Sequence, residues 1–85
     1  MRIELFGIAR ARAGREALEV EAGSLGDALR ALASACPGVV PEVVLDGRLT
    51  DGYLASLNGD RFVRDPRLAL AKGDTLLILG AQAGG

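Results

Sequence analysis

Apolar and polar positions change period several times along the chain, and each change marks the start of a new element. From Arg2 to Ile8 they form an extended run, with Ile3 and Leu5 on one face and Glu4, Phe6 and Ile8 on the other, which predicts a first strand. A loop, Ala9-Arg10-Ala11-Arg12-Ala13-Gly14-Arg15, leads into Ala17-Leu18-Glu19-Val20-Glu21, whose alternating apolar and acidic residues predict a half-buried second strand in a hairpin with the first. Gly23 breaks that strand. Ser24 with Asp27 resembles a capping box in which Asp replaces the usual Glu, so a helix starts there. Leu25, Ala28, Leu29, Leu32, Ala33 and Cys36 recur at helical spacing and draw one apolar stripe. Pro37-Gly38 ends it.

From Val39 to Thr50 the pattern leaves a short helix, a strand and an ordered loop all open, because Pro41, Asp46 and Gly47 interrupt a β-branched run. Tyr53 to Leu57 and Arg61 to Val63 flank Asn58-Gly59, a dipeptide that tolerates positive φ and suits a tight hairpin turn. Lys72-Gly73-Asp74 marks another turn, and Thr75 to Leu79 is apolar on both faces, as in a central strand. Placed side by side and parallel, the first and last strands need a crossover, which the helix supplies. The expected fold is an α+β β-grasp (ubiquitin-like) roll, with a mixed sheet of about four to five strands and one main helix packed on one face. Residues 1–79 form the domain, and 80–85 a flexible C-terminal tail ending in Gly-Gly.

Composition removes most alternatives. Ten basic and eleven acidic residues leave a net charge of −1, which argues against nucleic-acid binding carried by bulk charge. One cysteine and no histidine exclude an intramolecular disulfide, a Cys/His zinc site and any Ser-His or Cys-His catalytic pair. No apolar run approaches the roughly 20 residues of a membrane span. A cytoplasmic protein with no bound cofactor or metal is the expectation, and with the helix sealing one face no concave pocket is foreseen.

The remaining chemistry lies at the end of the chain. Gly84-Gly85 follows directly on a strand-forming segment, and the lack of Cβ atoms lets such a tail enter a channel too narrow for side chains. A neutral-pH carboxylate is a poor electrophile, so acyl chemistry at Gly85 requires activation, as an acyl-adenylate made with ATP. The tail is then a substrate, not a catalyst. The alternative at this point is a glycine-rich terminus with no chemical use.

Several segments together resemble the MoaD/ThiS family of ubiquitin-like sulfur-carrier proteins. The resemblance lies in Ile3-Glu4-Leu5-Phe6-Gly7-Ile8-Ala9-Arg10, in Leu57-Asn58-Gly59, and in Lys72-Gly73-Asp74-Thr75-Leu76 followed by Ala83-Gly84-Gly85. It spans nearly the whole chain and is closer to MoaD, the small subunit of molybdopterin synthase, than to ThiS. The resemblance implies an adenylating partner of the ubiquitin-activating type that consumes ATP. It also implies a sulfur-donor enzyme that converts the Gly85 carboxylate to a thiocarboxylate, and a molybdopterin synthase large subunit that receives the tail. The chain departs from the common MoaD ending, in which two prolines precede the last four residues; here Gly80-Ala81-Gln82-Ala83 precedes Gly84-Gly85. A tail without proline loses more conformational freedom on insertion. Carriers of this family also serve thiamine, cysteine, tRNA and specialised metabolite pathways, and a ubiquitin-like modifier joined to lysine through the same Gly85 is the competing class.

Reactive chemistry is therefore assigned to Gly85, with Gly84 keeping the tail slender. Partner binding is assigned to Phe6, Ile8 and Phe62 on the open sheet face, and to Ala81, Gln82 and Ala83 in the tail. Cys36 falls on the apolar stripe and reads as core. Arg10, Arg12 and Arg15 read as a solvated basic loop, and Glu19 and Glu21 as an exposed edge without catalytic role.

Overall fold

The computed structural model describes residues 1–81. Five strands form one mixed sheet: β1 (Arg2–Leu5), β2 (Ala17–Glu19), β5 (Tyr53–Leu57), β6 (Arg61–Val63) and β7 (Thr75–Gly80), in the order β2-β1-β7-β5-β6. A separate two-stranded ribbon is made by β3 (Val44–Leu45) and β4 (Arg48–Leu49). The helices are α1 (Gly7–Ala13) and α2 (Leu25–Ala35), the latter followed by a 3₁₀ turn over Pro37–Val39. This is the β-grasp roll expected from the pattern, with parallel β1 and β7 at its centre.

Strand alternation builds the core. Ile3, Leu5, Leu76, Ile78, Ala55 and Leu57 turn to one side of the sheet and are buried, where they meet Leu25, Ala28, Leu29 and Leu32 from α2. The Ser24 side chain caps α2 by accepting from the Asp27 backbone N–H at 3.2 Å, which satisfies one of the orphan donors of the first turn. Cys36 is 3% exposed at the C-cap, as its place on the stripe implied.

One expectation fails at the N-terminal end. The first strand does not reach Ile8: it stops at Leu5, and Gly7–Ala13 is helical. Gly7 turns the chain at φ +57°, and Gly14 closes the helix in the left-handed conformation with its N–H on the Arg10 carbonyl at 2.9 Å. The cause is helix propensity in a run of Ala and Arg ending at a glycine stop. Only Ala9 of this helix is buried, so its core stripe is too slight to show as periodicity. Arg10 and Arg12 thus belong to α1 and not to a loop.

The ambiguous stretch becomes the 3₁₀ turn and the β3–β4 ribbon, whose tip, Asp46 and Gly47, has positive φ at both residues. The second hairpin forms as expected, with Asn58 and Gly59 at φ +57° and +68°. At the far end β7 includes Gly80, so the strand continues one residue into the segment assigned to the tail. The expectation of a flexible Gln82–Gly85 lies outside the described residues.

Helix α1 and the 3₁₀ turn touch where Gly38 faces the Arg12 carbonyl: a Cβ at position 38 would collide with that oxygen. The obstacle is backbone at the end of a helix and has little room to yield. Gly38→Ala should therefore destabilise the fold by about 1–3 kcal/mol, read as a lowered midpoint in urea with an unchanged m-value. Wild-type stability would show that α1 shifts freely.

Candidate functional site

The end of β7 is held on both flanks. Along β7, Gly80 is registered with Tyr53 and Leu79 with Leu54, and Ala81 donates its N–H to the Gly52 carbonyl at 2.7 Å. On the other side, the Phe6 N–H donates to the Ile78 carbonyl at 3.0 Å. The chain therefore leaves the sheet at Ala81 between the β1–α1 junction and the turn before β5. Gly84, Gly85, Gln82 and Ala83, which carry most of the sequence-derived assignment, lie outside the described residues.

The sheet face away from α2 carries the second part of the site. Register sets Glu4, Leu77, Ser56 and Phe62 in one row across β1, β7, β5 and β6. One step further along, Leu79 and Leu54 lie side by side, and the β1–β7 register, continued by one residue, brings Phe6 beside Leu79. Phe62 is diagonal to Leu54, within reach of an aromatic ring. Leu54, Leu77 and Leu79 are half-buried, while Phe6 and Phe62 are 40% and 66% exposed. An apolar band thus crosses the open face and ends two residues before Ala81. Charges flank it: Arg2 Nε donates to Glu4 Oε2 at 2.8 Å, and this bond is the main cause that raises the Arg2 pKa above its ordinary value.

Ile8 does not belong to the strand face where its sequence position had set it. It stands on α1 with 62% of its surface exposed, beyond the junction that Phe6 caps. Arg10 works inward at that junction. Its Nε donates to the Leu5 carbonyl at 3.2 Å, its guanidinium lies 5.9 Å from the Phe6 ring centre, and it pairs with Glu16 at 3.4 Å. Arg10 thus lies on α1 and not in a loop; it is solvent-exposed as read from the sequence, and its side chain also ties the β1–α1 corner. Leu54, Leu77 and Leu79 were missed as site residues, although a strand apolar on both faces with a helix over only one of them was the available signal.

The turns that carried the sequence resemblance are fastened together at the opposite end of β7. Asn58 Nδ2 donates to Asp74 Oδ1 at 3.0 Å, the Thr75 N–H donates to Asn58 Oδ1 at 2.8 Å, and the Ala71 N–H donates to Asp74 Oδ2 at 2.7 Å. Asn58 also donates its backbone N–H to the Thr75 carbonyl at 2.7 Å. Asn-Gly and Lys-Gly-Asp are therefore structural partners.

Hollows lie among the described residues where no concavity was foreseen. One of about 530 Å³ is lined by Met1, Glu19, Val20, Glu21, Ala22 and Lys72, at the end of the sheet away from Ala81. A smaller one of about 180 Å³, lined by Arg2, Glu4, Phe6, Arg10 and Glu16 among others, lies beside the β1–α1 corner. Among the described residues no three His, Cys, Asp or Glu side chains converge as a metal site, and no helix is long and apolar enough to cross a membrane.

The fold and its exit point define a ubiquitin-like β-grasp protein. Small archaeal modifier protein 1 of Haloferax volcanii is 31% identical, with 99% of this chain and 97% of that one covered at a TM-score of 0.83. The chain belongs to the family of ubiquitin-like carriers and modifiers that includes this protein. A chain of the BexX/CysO complex of Amycolatopsis orientalis is 25% identical, with 99% and 98% covered and a TM-score of 0.80. CysO of Mycobacterium tuberculosis, at 22% identity, 94% and 97% coverage and a TM-score of 0.76, shares the fold. No protein-family model and no curated protein matches the chain.

The Asn58–Asp74 latch has a pH signature. Hydrogen bonds from Asn58 first and the Ala71 N–H second hold the Asp74 carboxyl below its ordinary value of 3.8. The folded state thus favours the ionised form, and the stabilisation is present above that value and lost as pH falls through the folded-state pKa. Asp74→Asn should unfold at lower urea than wild type near neutral pH, with the gap narrowing as pH falls from about 5 to about 2. A gap that is constant with pH would show that the carboxylate charge is irrelevant.

Proposed function

We propose that this chain is a sulfur carrier whose Gly85 carboxylate, taken as the terminus of the acting protein, is adenylated and then converted to a thiocarboxylate. The carboxylate attacks the α-phosphate of ATP in an adenylating enzyme, releasing pyrophosphate and leaving a mixed anhydride. Sulfide from a donor enzyme attacks the Gly85 carbonyl carbon, and AMP departs. A thioacid is more acidic than an alkyl thiol, so the product is an ionised sulfur nucleophile at neutral pH. The favoured acceptor is the pterin precursor of molybdopterin, reached when the tail enters a molybdopterin synthase large subunit. The carrier itself is no enzyme.

The observation that carries this reading is the position of Ala81, whose N–H bonds to Gly52 at the end of the apolar band. Band and tail root share one side of the molecule. A partner that covers Phe6, Leu54, Leu79 and Phe62 therefore lies beside Ala81, the root of the tail. Apolar area supplies affinity, and the slender Gly84-Gly85 reaches the reacting centre. The 31% identity to a protein named a modifier favours, as a second reading, transfer of the same activated Gly85 to a lysine amine of another protein.

Intact mass spectrometry of the chain from its native host should show one terminal oxygen exchanged for sulfur, confined to the C-terminal peptide. The mapping is essential because oxidation of Met1 or Cys36 has the same nominal mass. Protein conjugates lost on deletion of Gly84-Gly85, with no terminal sulfur, would decide for the modifier. A terminus that is never modified in the presence of ATP and the activating enzyme would refute both.

Docking is tested separately. Phe62→Ser should weaken binding to the adenylating enzyme by about tenfold, as expected for loss of an aromatic anchor, while leaving stability within about 0.5 kcal/mol. Unchanged affinity would remove the open face from the interface.

A further inference from the structure

Arg64 has no part in the reading of the sequence, yet its side chain makes three hydrogen bonds to backbone. From just beyond β6 it folds over the start of β5. Nη1 donates to the Leu49 carbonyl at 3.0 Å, and Nη2 donates to the Thr50 carbonyl at 3.3 Å and the Tyr53 carbonyl at 2.6 Å. Among the described residues it makes no ion pair. Its hydrogen bonds all go to carbonyls at the end of β4, in the turn that follows and at the start of β5.

That turn is the one that holds the tail root. The Tyr53 N–H donates to the Thr50 carbonyl at 3.2 Å, and Gly52, between them, accepts the Ala81 N–H at 2.7 Å. On its outer side the turn is moored to the segment before β3. The Thr50 hydroxyl donates to the Glu42 carbonyl at 2.6 Å and the Thr50 N–H to the Val43 carbonyl at 3.0 Å. Three carbonyls converging on one point need a planar, multidentate donor, which guanidinium is and ammonium is not.

We infer that Arg64 is a positioning residue for the C-terminal tail, holding its root at Ala81 through the 49–53 turn and the Gly52–Ala81 bond. This rests on the proposed adenylation of Gly85. A partner that recognises the open face meets a tail root already held at Ala81, and so has one residue fewer to order during insertion. Each residue that must be ordered afresh lowers the productive fraction by about fivefold to tenfold. Arg64 is not required for docking, because the apolar band approaches the tail root without it.

The test uses the full chain as wild type, Arg64→Met and Arg64→Lys. Amide exchange is measured at Ala81, Leu76 and Ile78, and pyrophosphate release with ATP and the cognate adenylating enzyme is measured as a function of carrier concentration. In Arg64→Met, exchange at Ala81 should rise at least about tenfold while Leu76 and Ile78 stay protected. In that variant kcat should fall about fivefold to tenfold with KM within about twofold. Arg64→Lys, retaining one or two donors, should fall between in both readouts and serves if Arg64→Met does not fold.

Unchanged exchange at Ala81 would overturn the inference. So would a raised KM at constant kcat, which would make Arg64 a docking contact. Loss of protection at Leu76 and Ile78 together with Ala81 in the lysine variant would also overturn it, by reducing Arg64 to a stability residue. If wild type releases no pyrophosphate, the functional reading fails instead, and exchange at Ala81 still decides whether Arg64 holds the root.

Discussion

Parallel pairing of β1 with β7 is the constraint on which the rest of the molecule depends. Arg2 to Leu5 run alongside Thr75 to Ile78, so the two ends of the chain must meet at the centre of the sheet pointing the same way. A parallel pair cannot be closed by a tight turn, and the connection has to cross a face of the sheet. Helix α2 makes the crossing and covers Ile3, Leu5, Leu76 and Ile78, all of which are buried. The same pairing sets the direction in which β7 delivers the chain at Ala81. The fold and the placement of Ala81 are thus one consequence of one ladder.

Each end of β7 is then secured by a different chemistry. At its start, Asn58 and Asp74 use side-chain hydrogen bonds to tie the β5–β6 turn to the turn before β7. At its finish, Gly52 and Phe6 use backbone groups to hold Ala81 and Ile78. Strand pairing alone leaves the last residues of a strand prone to fray, since ladder bonds at an end have partners on one side only. Fastening both ends makes β7 a rigid post between the covered and the open face.

The open face is apolar where a solvated sheet face is expected to be polar. Leu54, Leu77 and Leu79 are only half-buried, and Phe6 and Phe62 stand out from them. A β-grasp sheet has one helix layer, so apolar residues on the second face stay in contact with solvent. The band reaches the edge of the sheet at which Ala81 is held, so the exposed apolar surface and the end of β7 lie on one side of the molecule.

Much of this was written in the chain. The strand-forming runs Tyr53–Leu57 and Thr75–Leu79, the stripe from Leu25 to Leu32, the Ser24 cap and the Asn58-Gly59 turn are local patterns, because side-chain period and turn dihedrals are set by neighbours in sequence. They sufficed for the β-grasp order, for a buried Cys36 and for an exposed Phe62. Helix α1 escaped because its inward residue is alanine, whose small side chain leaves no hydrophobic period. Ile8, placed on a strand face by alternation, therefore belongs to a helix. The convergence of Leu54, Leu79, Phe6 and Phe62 needed register between four strands, and the Arg64 fork needed three carbonyls from a turn distant in sequence. Local propensity and period are short-range properties that a sequence displays; register and multidentate hydrogen bonding join residues far apart along the chain, and only the folded sheet brings them together.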